Sequence, residues 1–134
     1  MVPEEYADLI DEMLRKTHDG TIQWKETLNQ REFLVYFDDF TVSARGGSDD
    51  EENSYITLTL KDTKGKNLDS FTIGDGDPDY VKLADLYNTA RRRALNIDGA
   101  IKAIMKELRT KKKIGDRKPV PTSIDGDDEE EVPF

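Results

Sequence analysis

The sequence contains no cysteine and a single histidine, His18. Without cysteine there are no disulfides, thiol nucleophiles or thiolate metal sites, which fits a reducing compartment. No apolar run approaches the roughly 20 residues a helix needs to span a bilayer. Met1 to Glu5 shows neither the basic nor the apolar region of a signal peptide. The expectation is a cytoplasmic protein with no membrane contact. No Gly-rich phosphate loop, nucleophile elbow or metal-ligand helix occurs either. His18 lacks an identifiable nucleophile and orienting partner, and reads as a helix-end residue favoured by the dipole. Asp75, Asp77 and Asp79 have the spacing that opens a calcium loop. Tyr80 then stands where that loop needs glycine, and Leu86 where it needs a bidentate glutamate. The chain is expected to be no enzyme, with no cofactor and no metal site.

The 134 residues suit one domain and can bury one core. Hydrophobic residues make up 35% and charged residues 37%, so part of the chain is expected to stay unfolded. The net charge is −9; residues 113–134 hold seven acids and three bases, a net −4, which leaves −5 for the rest. An acidic body argues against non-specific duplex binding, which needs many neutralised phosphates.

Periodicity separates the elements. Tyr6, Leu9, Ile10, Met13 and Leu14 form one helical stripe over residues 4–17, ended by Asp19-Gly20. Ile22 and Trp24 then alternate with polar neighbours on one face of a strand. Residues 32–45 are rich in strand formers, interrupted by Asp38-Asp39, which reads either as a two-residue turn or as a bulge in one long strand. Residues 46–53 read as a flexible acidic loop. Ile56, Leu58 and Leu60 alternate, Asp62 to Lys66 makes a turn with Gly65, and Phe71 and Ile73 return. Short connections give an antiparallel meander of four or five strands. Asp77-Pro78 reads as N-cap and first helical residue. From Tyr80 to Leu108 the apolar positions keep helical spacing. One long helix bent near Asn96 is expected, although Asp98 could instead cap a second helix. The fold class is α+β: an N-terminal helix and a long C-terminal helix packed on an antiparallel sheet. Residues 1–113 form the domain and residues 114–134 a disordered acidic tail, since Pro119, Pro121, Gly126 and the acid run oppose regular structure.

Arg91, Arg92 and Arg93, with Lys102, Lys106 and Arg109, make the outer face of the last helix basic. This is either the solvated side of an amphipathic helix or a strip that contacts phosphates. Trp24, Tyr36 and Tyr55 could stack bases from an open sheet face, as aromatics do in single-strand binders. Trp24 shares the core face with Ile22, which weakens its candidacy.

The chain closes with Asp127, Asp128, Glu129, Glu130 and Glu131, followed by Val132, Pro133 and Phe134. This run resembles the acidic tip of bacterial single-stranded-DNA-binding proteins: acids, an aliphatic residue, then Pro-Phe. Glutamates replace most of that tip's aspartates, and the resemblance covers about ten residues here. It implies recruitment of tip-binding replication or repair proteins and competition with single-stranded DNA. A phenylalanine ring beside a carboxylate suits a partner pocket with an apolar slot and a cation. The body has helix, meander, helix and is not the OB barrel of that family. It resembles small uncharacterised bacterial proteins in which a meander precedes an Arg-rich helix, a likeness that implies no function. The function expected is a non-enzymatic protein of DNA metabolism that binds, or acts beside, single-stranded DNA. The alternative is an interaction adaptor or inhibitor without nucleic-acid contact.

Overall fold

A computed structural model of the chain describes residues 1–115. A short 3₁₀ turn, Glu4–Tyr6, leads into helix α1, Ala7–His18. Five strands follow: β1 Lys25–Glu26, β2 Glu32–Tyr36, β3 Phe40–Ser48, β4 Ser54–Asp62 and β5 Asn67–Gly74. Helices α2, Tyr80–Ala94, and α3, Ile97–Thr110, come last. The sheet is antiparallel throughout, in the order β1-β2-β3-β4-β5. The α+β class, the N-terminal helix and the antiparallel meander are as the sequence leads one to expect.

Period-2 alternation sorts the strand residues onto two faces. Phe33 and Val35, Val42 and Ala44, Ile56 and Leu58, and Ile73 are all buried on one of them. Leu83, Leu86 and Ala90 of α2 and Ile10 and Met13 of α1 join them in one core. Trp24 also belongs to this core. Its indole N–H donates to Thr17 Oγ1 at 2.9 Å, which satisfies both buried polar groups at once. Tyr6 stacks at a tilt on Phe71, and its hydroxyl donates to Asp69 at 2.7 Å. That hydrogen bond is the main reason the Tyr6 phenol is pushed up to about 12.

Several local readings need correction. The last apolar stripe belongs to two helices. Asn96 takes a left-handed φ of 52°, which asparagine tolerates and a helix interior does not, so the chain breaks between Ala94 and Ile97. Asp98 lies in the first turn of α3 and does not cap it. None of the α3 residues is buried, so its stripe is not part of the core. The segment Gly46-Gly47-Ser48 is strand, paired with Ile56, Tyr55 and Ser54; the loop is only Asp49–Asn53. At Asp38-Asp39 the turn is realised and the bulge is not, with Phe37 N–H donating to the Phe40 carbonyl at 2.8 Å. Helix α2 starts at Tyr80, two residues after Pro78; the Asp77 carboxylate accepts from the Asp79 N–H at 2.8 Å just ahead of it. Met1–Asp98 and the residues from Gly99 onward form separate units, described individually. Ile114 and Gly115 are exposed and outside any helix or strand, and the rest of the tail lies outside the described residues.

Candidate nucleic-acid interface

The second sheet face carries no helix of the Met1–Asp98 unit. Ladder register places Lys25, Leu34, Ser43, Thr59 and Ser70 in one row across it, and Glu32, Arg45, Thr57 and Thr72 in the next. Lys61 and Glu32 approach to 3.7 Å from the strands on either side of β3. Their link passes above Ser43, which is 1% exposed and whose hydroxyl has no hydrogen-bond partner among the described residues. Tyr36 and Tyr55 both stand on this face, as an aromatic platform requires. Trp24 does not: it is buried in the core. The two tyrosines lie opposite Thr41 and Gly47 of β3. Six residues of strand at 3.3–3.4 Å each put them about 20 Å apart, too far to hold one base between them.

The more constructed feature is at one end of the sheet. β3 runs on past the start of β2, so Gly46, Gly47 and Ser48 have a ladder partner only in β4. Gly46 N–H is met by the Arg31 carbonyl at 3.0 Å. Ladder alternation turns the Ser48 main-chain groups to that same side, away from β4. Beside this stretch is a groove of about 480 Å³ between the strand end, the Gln30-Arg31 loop and α2. Both glycines are there for close approach. A Cβ on Gly46 would come within 2.9 Å of the Tyr87 ring, and one on Gly47 within 2.6 Å of the Tyr55 ring. The rings therefore lie directly on the backbone, one on each face of the strand. Tyr87 is further fixed by Phe33, with ring centroids 5.8 Å apart.

The groove's charge is one-sided. Arg31 and Arg91 line it, with Gln30 and Asn88, and among the described residues no carboxylate does. Among the described residues neither guanidinium joins an ion pair. Burial pushes the Tyr87 phenol up, while Arg91 and Arg31 pull it down, so both guanidiniums act on that hydroxyl. A second hollow, lined by Glu26, Thr27, Asn29, Phe33 and Leu95, shares Gln30 and Arg91 with the first and extends it along α2.

No family model, curated protein or solved structure matches this chain.

The structure sorts the basic helix face. Arg91 faces the groove. Arg92 pairs with Asp98 at 2.6 Å. Arg93 donates to the His18 carbonyl at 2.7 Å, closing the C-terminal end of α1 against α2. His18 itself meets Asp85 at 3.0 Å, an exposed pair between α1 and α2. Among the described residues, Arg91 alone of the three consecutive arginines has an uncommitted guanidinium. Lys102, Lys106 and Arg109 share one face of α3 beside Ile101 and Met105. Asp127, Asp128, Glu129, Glu130, Glu131, Val132, Pro133 and Phe134 lie outside the described residues. Sequence reasoning missed Arg31, which is isolated in a polar stretch, and Tyr87, which its helical spacing counted as core. The pair Gly46-Gly47 between two strand-forming runs was the one available signal, and a loop explained it equally well.

Proposed function

We propose that this chain is a non-enzymatic, cytoplasmic protein of DNA metabolism. Its body binds single-stranded DNA through the Arg31–Arg91 groove, and the tip from Asp127 to Phe134 docks on replication or repair proteins. The observation that carries this reading is a groove that, among the described residues, holds no carboxylate and two unpaired guanidiniums, in a chain of net charge −9. Such a groove favours an anion, and phosphates are held well by guanidinium forks. Tyr55 lies against Gly47 and is half-buried, leaving ring surface on which a base can stack. Gln30 and Asn88 bring carboxamides to the same groove, and neither is engaged elsewhere among the described residues. Guanidiniums, an aromatic ring and carboxamides thus line one concavity. For the tip, the acid run supplies long-range attraction to a basic rim, and Phe134 supplies the anchor.

The test is a fluorescence titration with a labelled single-stranded oligonucleotide at two salt concentrations. The full chain should bind, more weakly at higher salt. Removing residues 125–134 should tighten binding severalfold at low salt, because a tethered polyanion no longer competes with phosphate. That gain should shrink as salt rises, since screening weakens the competition. Absence of binding by the truncated form would remove DNA from the reading and leave the adaptor alternative.

A further inference from the structure

A second groove lies on the helix-covered side of the sheet, at its β1–β2 edge. It measures about 480 Å³ and is floored by Leu9 and Met13 of α1, Ile22, and Val35 and Phe37. Leu9 and Phe37 are 37% and 46% exposed, apolar side chains left uncovered beside a strand edge.

That edge is incomplete. Phe37 and Phe40 form a hydrogen-bonded pair, so Tyr36 and Thr41, one step back, form the other kind. The Tyr36 N–H and C=O therefore point away from β3. β1 begins at Lys25, opposite Leu34, so no strand residue stands opposite Tyr36. Native sheets usually cover or blunt such edges, and Lys25 at the start of β1 does so only in part. An apolar groove beside main-chain groups without a strand partner is the geometry of strand addition.

The rim carries charge of one sign to spare. Lys16 and Lys25 border the groove and make no ion pair among the described residues. The one acid on the rim among the described residues, Glu12, is paired with Arg15. An added strand would turn alternate side chains into the groove and the others to the opposite face, where Lys25 stands.

We propose that this edge binds an extended segment of a partner protein, apolar at alternate positions and acidic between them, which pairs with β2 at Tyr36. The pairing is short, so recognition rests on the apolar floor, on Lys25 beside the acids and on the longer-range field of Lys16 at the α1 rim. This site does not depend on the DNA reading.

The test uses the full chain and a labelled, end-blocked heptapeptide in which glutamates alternate with Val, Phe and Val. A matched peptide with lysines in place of the glutamates is the control. At low salt the acidic peptide should bind at least about tenfold more tightly than the basic one, as charge complementarity at a desolvated rim requires. The double variant Lys16→Glu/Lys25→Glu should reverse that order. Tyr36→Pro should abolish binding, since it removes an outward N–H that the sheet does not use and that an edge can lose. If that variant fails to fold, Phe37→Glu blocks the floor instead. Amide shifts should change at Met13, Ile22 and Phe37. No binding of the acidic peptide, equal binding of both peptides, or indifference to Tyr36→Pro and Phe37→Glu would each overturn the proposal. Self-association that Tyr36→Pro abolishes would assign the edge to a second copy. Acidic-peptide binding that appears only after residues 125–134 are removed would assign it to the chain's own terminal segment.

Discussion

Reversing Arg31 and Arg91 together to glutamate should weaken single-stranded oligonucleotide binding roughly a hundredfold at low salt. Two hydrogen bonds to charged groups, at about 1.5 kcal/mol each, already account for that factor. The slope of log affinity against log salt should also flatten by about 1.4, because two phosphate neutralisations are lost at about 0.7 each for a single strand. The companion variant, Arg92→Glu/Arg93→Glu, changes the net charge by the same amount, at the two α2 positions that follow Arg91. It should leave binding within a few-fold of wild type and lower stability instead, because it breaks the Asp98 pair and the bond to the His18 carbonyl. Titrations of both variants across a salt series make the comparison. Equal losses in the two would mean that the net charge of the body matters and the groove does not.

The largest stability effect should come from Phe33→Ala, at about 3–5 kcal/mol. Phe33 is 2% exposed on β2, between the β3 residue Ala44 and the β1 residue Glu26 in the ladder. The cavity would open against the Tyr87 ring, whose other neighbour is the bare backbone at Gly46. Tyr87 would then be free to tip inward, and the groove would lose a wall. Urea unfolding measures the first effect, and oligonucleotide titration of the remaining folded protein measures the second. A loss below about 1 kcal/mol would show that the site collapses around the truncation, contrary to the close packing of interiors.

The sequence made some of this legible and hid the rest for identifiable reasons. The strands announced themselves because Ile56, Leu58 and Leu60 alternate against Tyr55, Thr57 and Thr59, and a one-sided sheet leaves that mark. The stripe in α1 was equally plain. The break at Asn96 was ambiguous because the apolar spacing continues through it; only the φ of 52° decides. Gly46 and Gly47 read as a loop because glycine is poor in strands, yet here two tyrosine rings occupy the space that side chains would fill. The groove was hidden for a deeper reason. Arg31 and Arg91 are 60 positions apart, and only the placement of α2 across the sheet brings both to Tyr87. Three adjacent arginines attracted attention as a block, although neighbours on a helix point in different directions and take different tasks.

The strand order of the sheet has a kinetic meaning. Each strand pairs with its neighbour in the chain, so every ladder can close across a short turn and needs little loop-closure entropy. α1 is different: its helical partner is α2, on the far side of the whole meander. Docking α1 must wait until the sheet and α2 exist as a surface to receive it. The N-terminal helix should therefore be the last element to join in folding and the first to leave in unfolding. Truncations at Ile10 or Met13 would then speed unfolding with little change in the folding rate, giving φ-values near zero. Values near one would place α1 in the nucleus instead. Leu9 and Met13 also floor the peptide groove, so a bound strand there would hold in place the element that otherwise detaches first.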